Sequence, residues 1–389
     1  MPPEKHALLS ASSAHRWMTC TRSAREEEKY PEEQTSEAAE EGRLAHELAE
    51  DHLRKILDGK RVTTPKKLKE NPLYRPAMEE HVATYCDVIA ALVNGLKDAG
   101  KDPIVYIEQK LDLSEWVKEG FGTADCIVIA DGELHVFDFK YGKGVPVNAE
   151  ENPQLKLYGR GALLEFSLLY QIDTVVLHII QPRLDSITEW SVSADVLCKW
   201  SQFVVKPIAE KAFKGEGEFV PGEEQCRFCR AKNRCKAYNS HLLEIAKARF
   251  DVIDDHQRDP NELTDEEIAE MLKSTAEIKR WCTSVEEYAL DQALNHGASF
   301  PGFKIVEGIS RRKIVDEAKA LERLESRGFT TAQVMTLKGI TALEEEVGKT
   351  RLADIIGEYI QKPPGKPTLV PEKDKREAIT DFTVFEKEN

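Results

Sequence analysis

Apolar residues at helical spacing predict helices, and apolar residues at alternate positions predict strands. Leu44, Ala45, Leu48, Ala49, Leu53 and Ile56 recur at helical spacing, which predicts a helix over residues 36–58. Residues 59–76 are rich in lysine and proline and read as a loop. Val82, Tyr85, Ile89 and Leu92 predict a second helix over 77–99, and IVYIEQKL at 104–111 reads as a strand. Two further strand-like runs, 123–130 (TADCIVIA) and 133–140 (ELHVFDFK), flank Asp131-Gly132. That dipeptide favours a two-residue hairpin of type I′. Asn152-Pro153 predicts a helix start, with asparagine as the cap and proline in the first helical position, and the helix runs to about Tyr170. IDTVVLHII at 172–180 reads as a buried strand, and 193–214 as helix.

Farther on, Thr264 and the acidic residues 265–267 predict a capped helix reaching about Asn295. Residues 303–306 read as a short strand and 315–360 mainly as short helices. The expected fold class is α/β (α+β): a central mixed sheet flanked by helices, with an additional helical C-terminal region. The expected domains are 1–245, a helical accessory region at 246–362, and a partly disordered tail at 363–389, which is rich in lysine, proline and glutamate.

The hairpin turn fixes a register that carries chemistry. A two-residue turn pairs Ala130 with Glu133, so Asp125 falls directly opposite Asp138. Cross-strand neighbours have Cβ atoms about 5 Å apart, where like charges destabilise. A divalent cation between them converts that repulsion into ligation. Lys140 lies two residues beyond Asp138 and shares its face. A lysine there can orient or deprotonate an attacking water and balance phosphate charge. A solvated Lys–Asp pair is the plainer alternative, and the opposed Asp125 weighs against it.

Gln154 and Tyr158 stand one helical turn apart near a helix N-terminus, which suits a phosphate; a core tyrosine beside a surface glutamine is the plainer reading. His46 lies at the edge of the first helix's apolar face, and Gly42, one turn earlier, is expected to leave room beside its ring. It reads either as a structural histidine or as a nitrogen ligand, the latter suiting Mn²⁺ somewhat better than Mg²⁺.

Composition adds bounds. The chain has 389 residues, 41% of them hydrophobic and 32% charged, enough for more than one domain. A net charge of −15 argues against a protein that coats nucleic acid, but not against one local basic groove. No apolar run has the length of a membrane span, and Met1 to Arg16 lack the apolar centre of a signal peptide, so a cytoplasmic protein is expected.

Of eight cysteines, Cys226, Cys229 and Cys235 form a compact C-x2-C-x5-C triplet. A cytosolic setting makes this a metal site before a disulfide. Cys20, Cys198, Cys282 and His241 are candidates for a fourth ligand, and four thiolates suit zinc or an iron–sulfur cluster alike. Cys86, Cys126, Cys198 and Cys282 are otherwise expected to be small buried hydrophobes. Arg227, Arg230, Lys232, Arg234 and Lys236 interleave the triplet with no acid from 226 to 236, a basic knuckle fit for a DNA backbone or a solvated loop that offsets thiolate charge. Arg311, Arg312 and Lys313 form a second basic spot.

Gly42 to His46, Gly122-Thr123-Ala124-Asp125, Asp138-Phe139-Lys140 and Gln154 to Tyr158 follow one another in order. Together they resemble the PD-(D/E)XK nuclease superfamily in its RecB-like branch, and the flanking sequence resembles an uncharacterised phage- and prophage-borne group. The resemblance implies a restriction-endonuclease-like core. It implies that His46, Asp125, Asp138 and the carbonyl of Phe139 hold one or two Mg²⁺ or Mn²⁺ ions. Lys140 would position the water, Gln154 and Tyr158 would orient the DNA or the lysine, and the product would carry a 5′-phosphate. Glu108, on the preceding strand, ranks below these as an acidic contributor.

The chain also resembles branch members with an iron–sulfur cluster, among them the CRISPR adaptation nucleases and AddB-type subunits. Those take one cysteine from before the core and three from after it. That implies a [4Fe–4S] cluster on Cys20, Cys226, Cys229 and Cys235, with Zn²⁺ as the alternative. The expected activity is hydrolysis of DNA phosphodiester bonds, as an exonuclease or end-processing enzyme acting on linear or single-stranded ends. The setting would be phage recombination, replication or DNA degradation in a bacterial host, with phage recombination or replication proteins as partners and no membrane. A non-cleaving, metal-stabilised DNA-binding scaffold is the alternative. A redox protein leaves Asp125, Asp138, Lys140, Gln154 and Tyr158 unexplained.

Overall fold

The computed structural model describes residues 7–30, 36–130, 132–250, 265–305, 317–327, 331 and 336–360. Asp131, Thr264, the Arg311–Lys313 spot and the 363–389 tail lie outside the described residues. The chain divides into two compact units, Met1–His241 with Arg327–Gly348, and Leu242–Ser326 with Lys349–Asn389.

The first unit opens with short helices α1 (Ala14–Thr19) and α2 (Ser23–Glu27). Helix α3 (Glu37–Leu57) follows, capped by the Ser36 side chain, which accepts from the Ala39 amide. A single helical turn, α4 (Lys66–Lys69), interrupts the expected loop before α5 (Ala77–Asp98). Then come β1 (Ile104–Asp112), β2 (Phe121–Ala130) and β3 (Gly132–Phe139). Helix α6 (Pro153–Phe166) crosses to β4 (Ile172–Gln181), with Asn152 as its cap, as its side chain accepts from the Leu155 amide. Strand β5 (Ser186–Ser193) precedes α7 (Ala194–Trp200) and α8 (Lys206–Lys214), joined through a wider helical turn at Ser201–Val205. The short helix α9 (Glu223–Arg227) carries the first cysteine of the triplet.

The five strands form one mixed sheet in the order β1-β2-β3-β4-β5. All neighbours are antiparallel except β3 and β4, which are parallel because α6 carries the chain back across the sheet. The expected α+β class is therefore the observed one. Helices cover both faces. One apolar cluster joins Ile127, Ile129, Leu134 and Val136 to Leu155, Leu157 and Leu163 of α6. The other joins Cys126, Val128, Phe137 and Phe139 to Leu48, Leu53, Tyr85 and Ile89 of α3 and α5. Alternate residues of β2 and β3 thus feed two cores.

The second unit contains helix Asp265–Asn295, helix Glu317–Glu325 and helix Lys349–Ile356. Residues 303–305 carry no strand, so the short strand expected at 303–306 is not found among the described residues. No described helix is long and apolar enough to cross a membrane.

Candidate functional site

The hairpin register is the expected one: Ala130 pairs with Glu133, and the ladder continues to Cys126 opposite Phe137. Gly132 closes the turn with φ at +86°, a conformation that glycine adopts at little cost. Asp125 and Asp138 are the next residues along, so both carboxylates arrive at the end of the ladder. Here the side chain of Asp125 replaces a backbone partner, accepting the Phe139 amide at 2.6 Å through Oδ2.

The neighbouring strand extends the row. On β1, Ile107 pairs with Cys126 and Gln109 with Ala124, which sets Glu108 opposite Asp125. Three adjacent strands therefore present Glu108, Asp125 and Asp138 at one level. Glu108 has φ at +53° inside a strand, a left-handed conformation that costs a non-glycine residue about 1–3 kcal/mol. Burial, then the adjacent Asp125, push its carboxyl up to about 7.

Helix α3 approaches from one face. His46 Nδ1 lies 3.3 Å from Asp125 Oδ1, and the imidazole leans on the Phe139 ring with centroids 5.3 Å apart. Burial lowers the histidine's pKa, but Asp125 outweighs it and the net shift is upward. Ligand atoms of His46, Glu108 and Asp125 all lie within 4.8 Å of one another, the one such group of three among the described residues. They line a small cavity with Tyr85, Ile107 and Phe139. One nitrogen and two carboxylates suit Mn²⁺ or Mg²⁺, so this donor set fits a hard or borderline divalent cation.

Helix α6 approaches from the other face. Lys140 Nζ lies 2.9 Å from Asp138 Oδ2 and donates to Gln154 Oε1 at 3.2 Å. Gln154 Nε2 donates to Asp138 Oδ1 at 2.9 Å and to the Tyr158 hydroxyl at 3.3 Å. The glutamine amide thus locks the Asp138–Lys140 pair to the tyrosine. Burial raises the Asp138 carboxyl, with Lys140 opposing; burial lowers the Lys140 ammonium, but Asp138 reverses that and the net shift is upward. The 2.9 Å contact makes the ion pair the controlling interaction. Burial, then Asp138, also raise the Tyr158 phenol.

Gly122 explains the glycine three residues before Asp125. A Cβ there would overlap the Tyr158 ring, so the glycine lets α6 lie close on β2. Gly42 has no such role. A Cβ at that position meets nothing within 4 Å, so the expected space beside His46 does not depend on its being glycine.

The four cysteines Cys20, Cys226, Cys229 and Cys235 line one small cavity, which His241, Cys198 and Cys282 do not line. Burial raises the Cys20 thiol, and burial with the nearby Glu27 carboxylate pushes Cys229 up to about 12. Thiolates in such a place need the positive charge of a metal to form. Of the remaining cysteines, Cys86 and Cys126 are buried as expected, whereas Cys198 is half-buried and Cys282 exposed.

Two side chains outside the sequence motifs hold this region together. The buried Glu27 pairs with Arg16 Nε at 3.0 Å and accepts the Arg230 amide at 2.9 Å. Gln181 anchors the segment after Lys140, donating to the carbonyls of Gly142 and Val145 and accepting the Val147 amide.

Among solved structures, the chain is similar to one described as "Crystal structure of SSO0001", at 16% identity over 56% of this chain and 95% of that one. The TM-score is 0.24, at which the likeness supports no inference. Over residues 6–377 the chain matches the family described as "Protein of unknown function (DUF2800)", and it belongs to that family.

Proposed function

We propose that this protein is a metal-dependent DNA nuclease of the PD-(D/E)XK type, in the RecB-like branch, acting on linear or single-stranded DNA ends. One observation carries the reading: the convergence of His46, Glu108 and Asp125 within 4.8 Å, beside the Asp138–Lys140 pair. Carboxylates crowded on adjacent strands destabilise the fold unless a cation joins them.

His46, Glu108 and Asp125 would hold a Mg²⁺ or Mn²⁺ ion, with Asp138 and the Phe139 carbonyl as the further donors the resemblance implies. When bound, the cation supplies Lewis-acid polarisation of a phosphoryl oxygen and lowers the pKa of a nearby water. The side chains supply the rest. Lys140, paired with Asp138, is placed to donate to a phosphate oxygen or to orient the attacking water. Gln154 restrains the lysine, and Tyr158 restrains Gln154. The N-terminus of α6 lies beside this network and favours a phosphate.

Cys20, Cys226, Cys229 and Cys235 would hold a [4Fe–4S] cluster, as the resemblance implies, with Zn²⁺ as the alternative; four thiolates around one cavity suit either.

The test is incubation of labelled linear and circular DNA with Mn²⁺ or Mg²⁺, against an EDTA control and Asp125→Asn. Metal-dependent cutting by the parent, lost in the variant, is expected; no cutting of any form with either metal refutes the reading. A spectrum after anaerobic purification tests the cluster separately: a broad band near ~400 nm is expected, and a colourless protein with stoichiometric zinc rules it out.

A further inference from the structure

The cysteine triplet sits in a strongly basic loop. In a chain of net charge −15, residues 226–236 contain five cations and no acid. Amid them Phe228 is 61% exposed, while its neighbours Cys226, Cys229 and Ala231 are buried. Leaving most of a phenylalanine ring in water forgoes favourable burial.

The exposure is built into the loop. Helix α9 ends at Arg227, and the carbonyl of Phe228 accepts from Arg16 at 3.0 Å. Two residues on, the Arg230 amide donates to Glu27, which is itself paired with Arg16. Lys232 Nζ donates to the carbonyl of Arg227 at 3.0 Å. The backbone is thus tied on both sides of Phe228, which holds in place the main chain from which the exposed ring projects. The Arg227 guanidinium stands 5.8 Å from the ring centroid.

An exposed aromatic face on a tied backbone, beside cations, is the chemistry that binds unpaired bases: the base stacks on the ring and the phosphates meet the cations. Inside a duplex both faces of each base pair are covered, and only the two terminal pairs expose one face each. We propose that Phe228 is a stacking platform for an unpaired base of single-stranded DNA, with Arg227 and Arg230 on the flanking phosphates. This rests on reading the chain as a DNA nuclease, and it names the substrate form: a single-stranded end.

The test measures fluorescence anisotropy of a labelled oligo-dT and of a blunt duplex of equal length. It uses the full chain in the Lys140→Ala background so that nothing is cut. Phe228→Ala should weaken oligo-dT binding about 5- to 150-fold, the range for losing one base–aromatic stack. Duplex binding and the salt dependence should not change. Arg230→Gln should instead reduce the salt slope by about one phosphate contact. Phe228→Trp should preserve affinity, with its fluorescence quenched by oligo-dT. A Phe228→Ala protein that binds oligo-dT as its parent does overturns the proposal. So does equal weakening for duplex and single strand, or a parent that binds neither. If the nuclease reading alone is wrong, the unsubstituted protein never cuts any DNA with Mn²⁺ or Mg²⁺, yet Phe228-dependent binding remains. If this inference alone is wrong, cutting persists and binding ignores Phe228.

Discussion

Strand β3 buries polar side chains at both His135 and Asp138, and the two places are resolved differently. At the first, His135 Nδ1 lies 3.1 Å from His178 Nε2 on β4, and His178 stacks on Phe137 with centroids 4.2 Å apart. Burial lowers both histidines, His178 to about 3, so the pair stays neutral, and Glu133 and Glu189 meet the outer nitrogens at 3.4 and 3.6 Å. The two neutral rings meet each other, and the nearby carboxylates are exposed to water. At the second, Glu108, Asp125 and Asp138 are aligned across three strands, and one lysine and one histidine face three acids. Burial alone does not identify a site; an excess of one charge held in place by strand register does.

The comparison can be broken most forcefully through catalysis. Asp138→Asn or Lys140→Ala should lower single-turnover cleavage by about 10²–10³-fold or more. Melting temperature without metal should not fall in step, because the first substitution also removes a buried like charge.

Glu108 should separate metal binding from stability. Glu108→Gly relieves the +53° backbone and should raise stability without metal by about 1 kcal/mol. Calorimetry should show Mn²⁺ affinity falling at least 10- to 100-fold, the range that even outer-shell partners cost. If both quantities fall, or neither moves, Glu108 is an ordinary strand residue.

Gly122→Ala tests the packing behind the site. Forcing the Tyr158 ring away should cost about 1–3 kcal/mol in denaturant unfolding and displace Gln154 from Asp138.

The histidine pair gives the most local effect, seen only as pH falls below 6.5. Its folded-state pKa values lie below the unfolded value of 6.5, so the unfolded chain takes up protons first as pH falls. The pair's contribution is complete above pH 6.5 and is lost as pH falls from there toward about 3. The slope is at most about 1.4 kcal/mol per pH unit for each histidine. His178→Gln should flatten the stability curve over that window; an unchanged curve would mean that the pair already titrates normally.

Much of this was legible in the sequence because it depends on local geometry. Asp131-Gly132 set the β2–β3 register, and with it the meeting of Asp125 and Asp138. Asn152-Pro153 set the start of α6, which places Gln154 and Tyr158. Glu108 is less legible because its position depends on the β1–β2 register, and no tight turn fixes that; residues 113–120 intervene. Its left-handed backbone has no local sequence signature at all. The His135–His178 pair was hidden for a similar reason, since β3 and β4 are parallel and joined only through α6. Strand β5 was missed because SITEWSVS is an edge strand with alternate residues exposed, and four of its eight positions are serine or threonine. The Arg16–Glu27–Arg230 tie spans more than 200 positions, beyond the reach of any local pattern.

The most direct test pairs two readings on one variant: cleavage of labelled linear DNA with Mn²⁺, and binding of the same DNA, for the parent and for Lys140→Ala. The account predicts that the parent cuts and that the variant binds comparably but does not cut. A Lys140→Ala protein that cuts at the parental rate would contradict it.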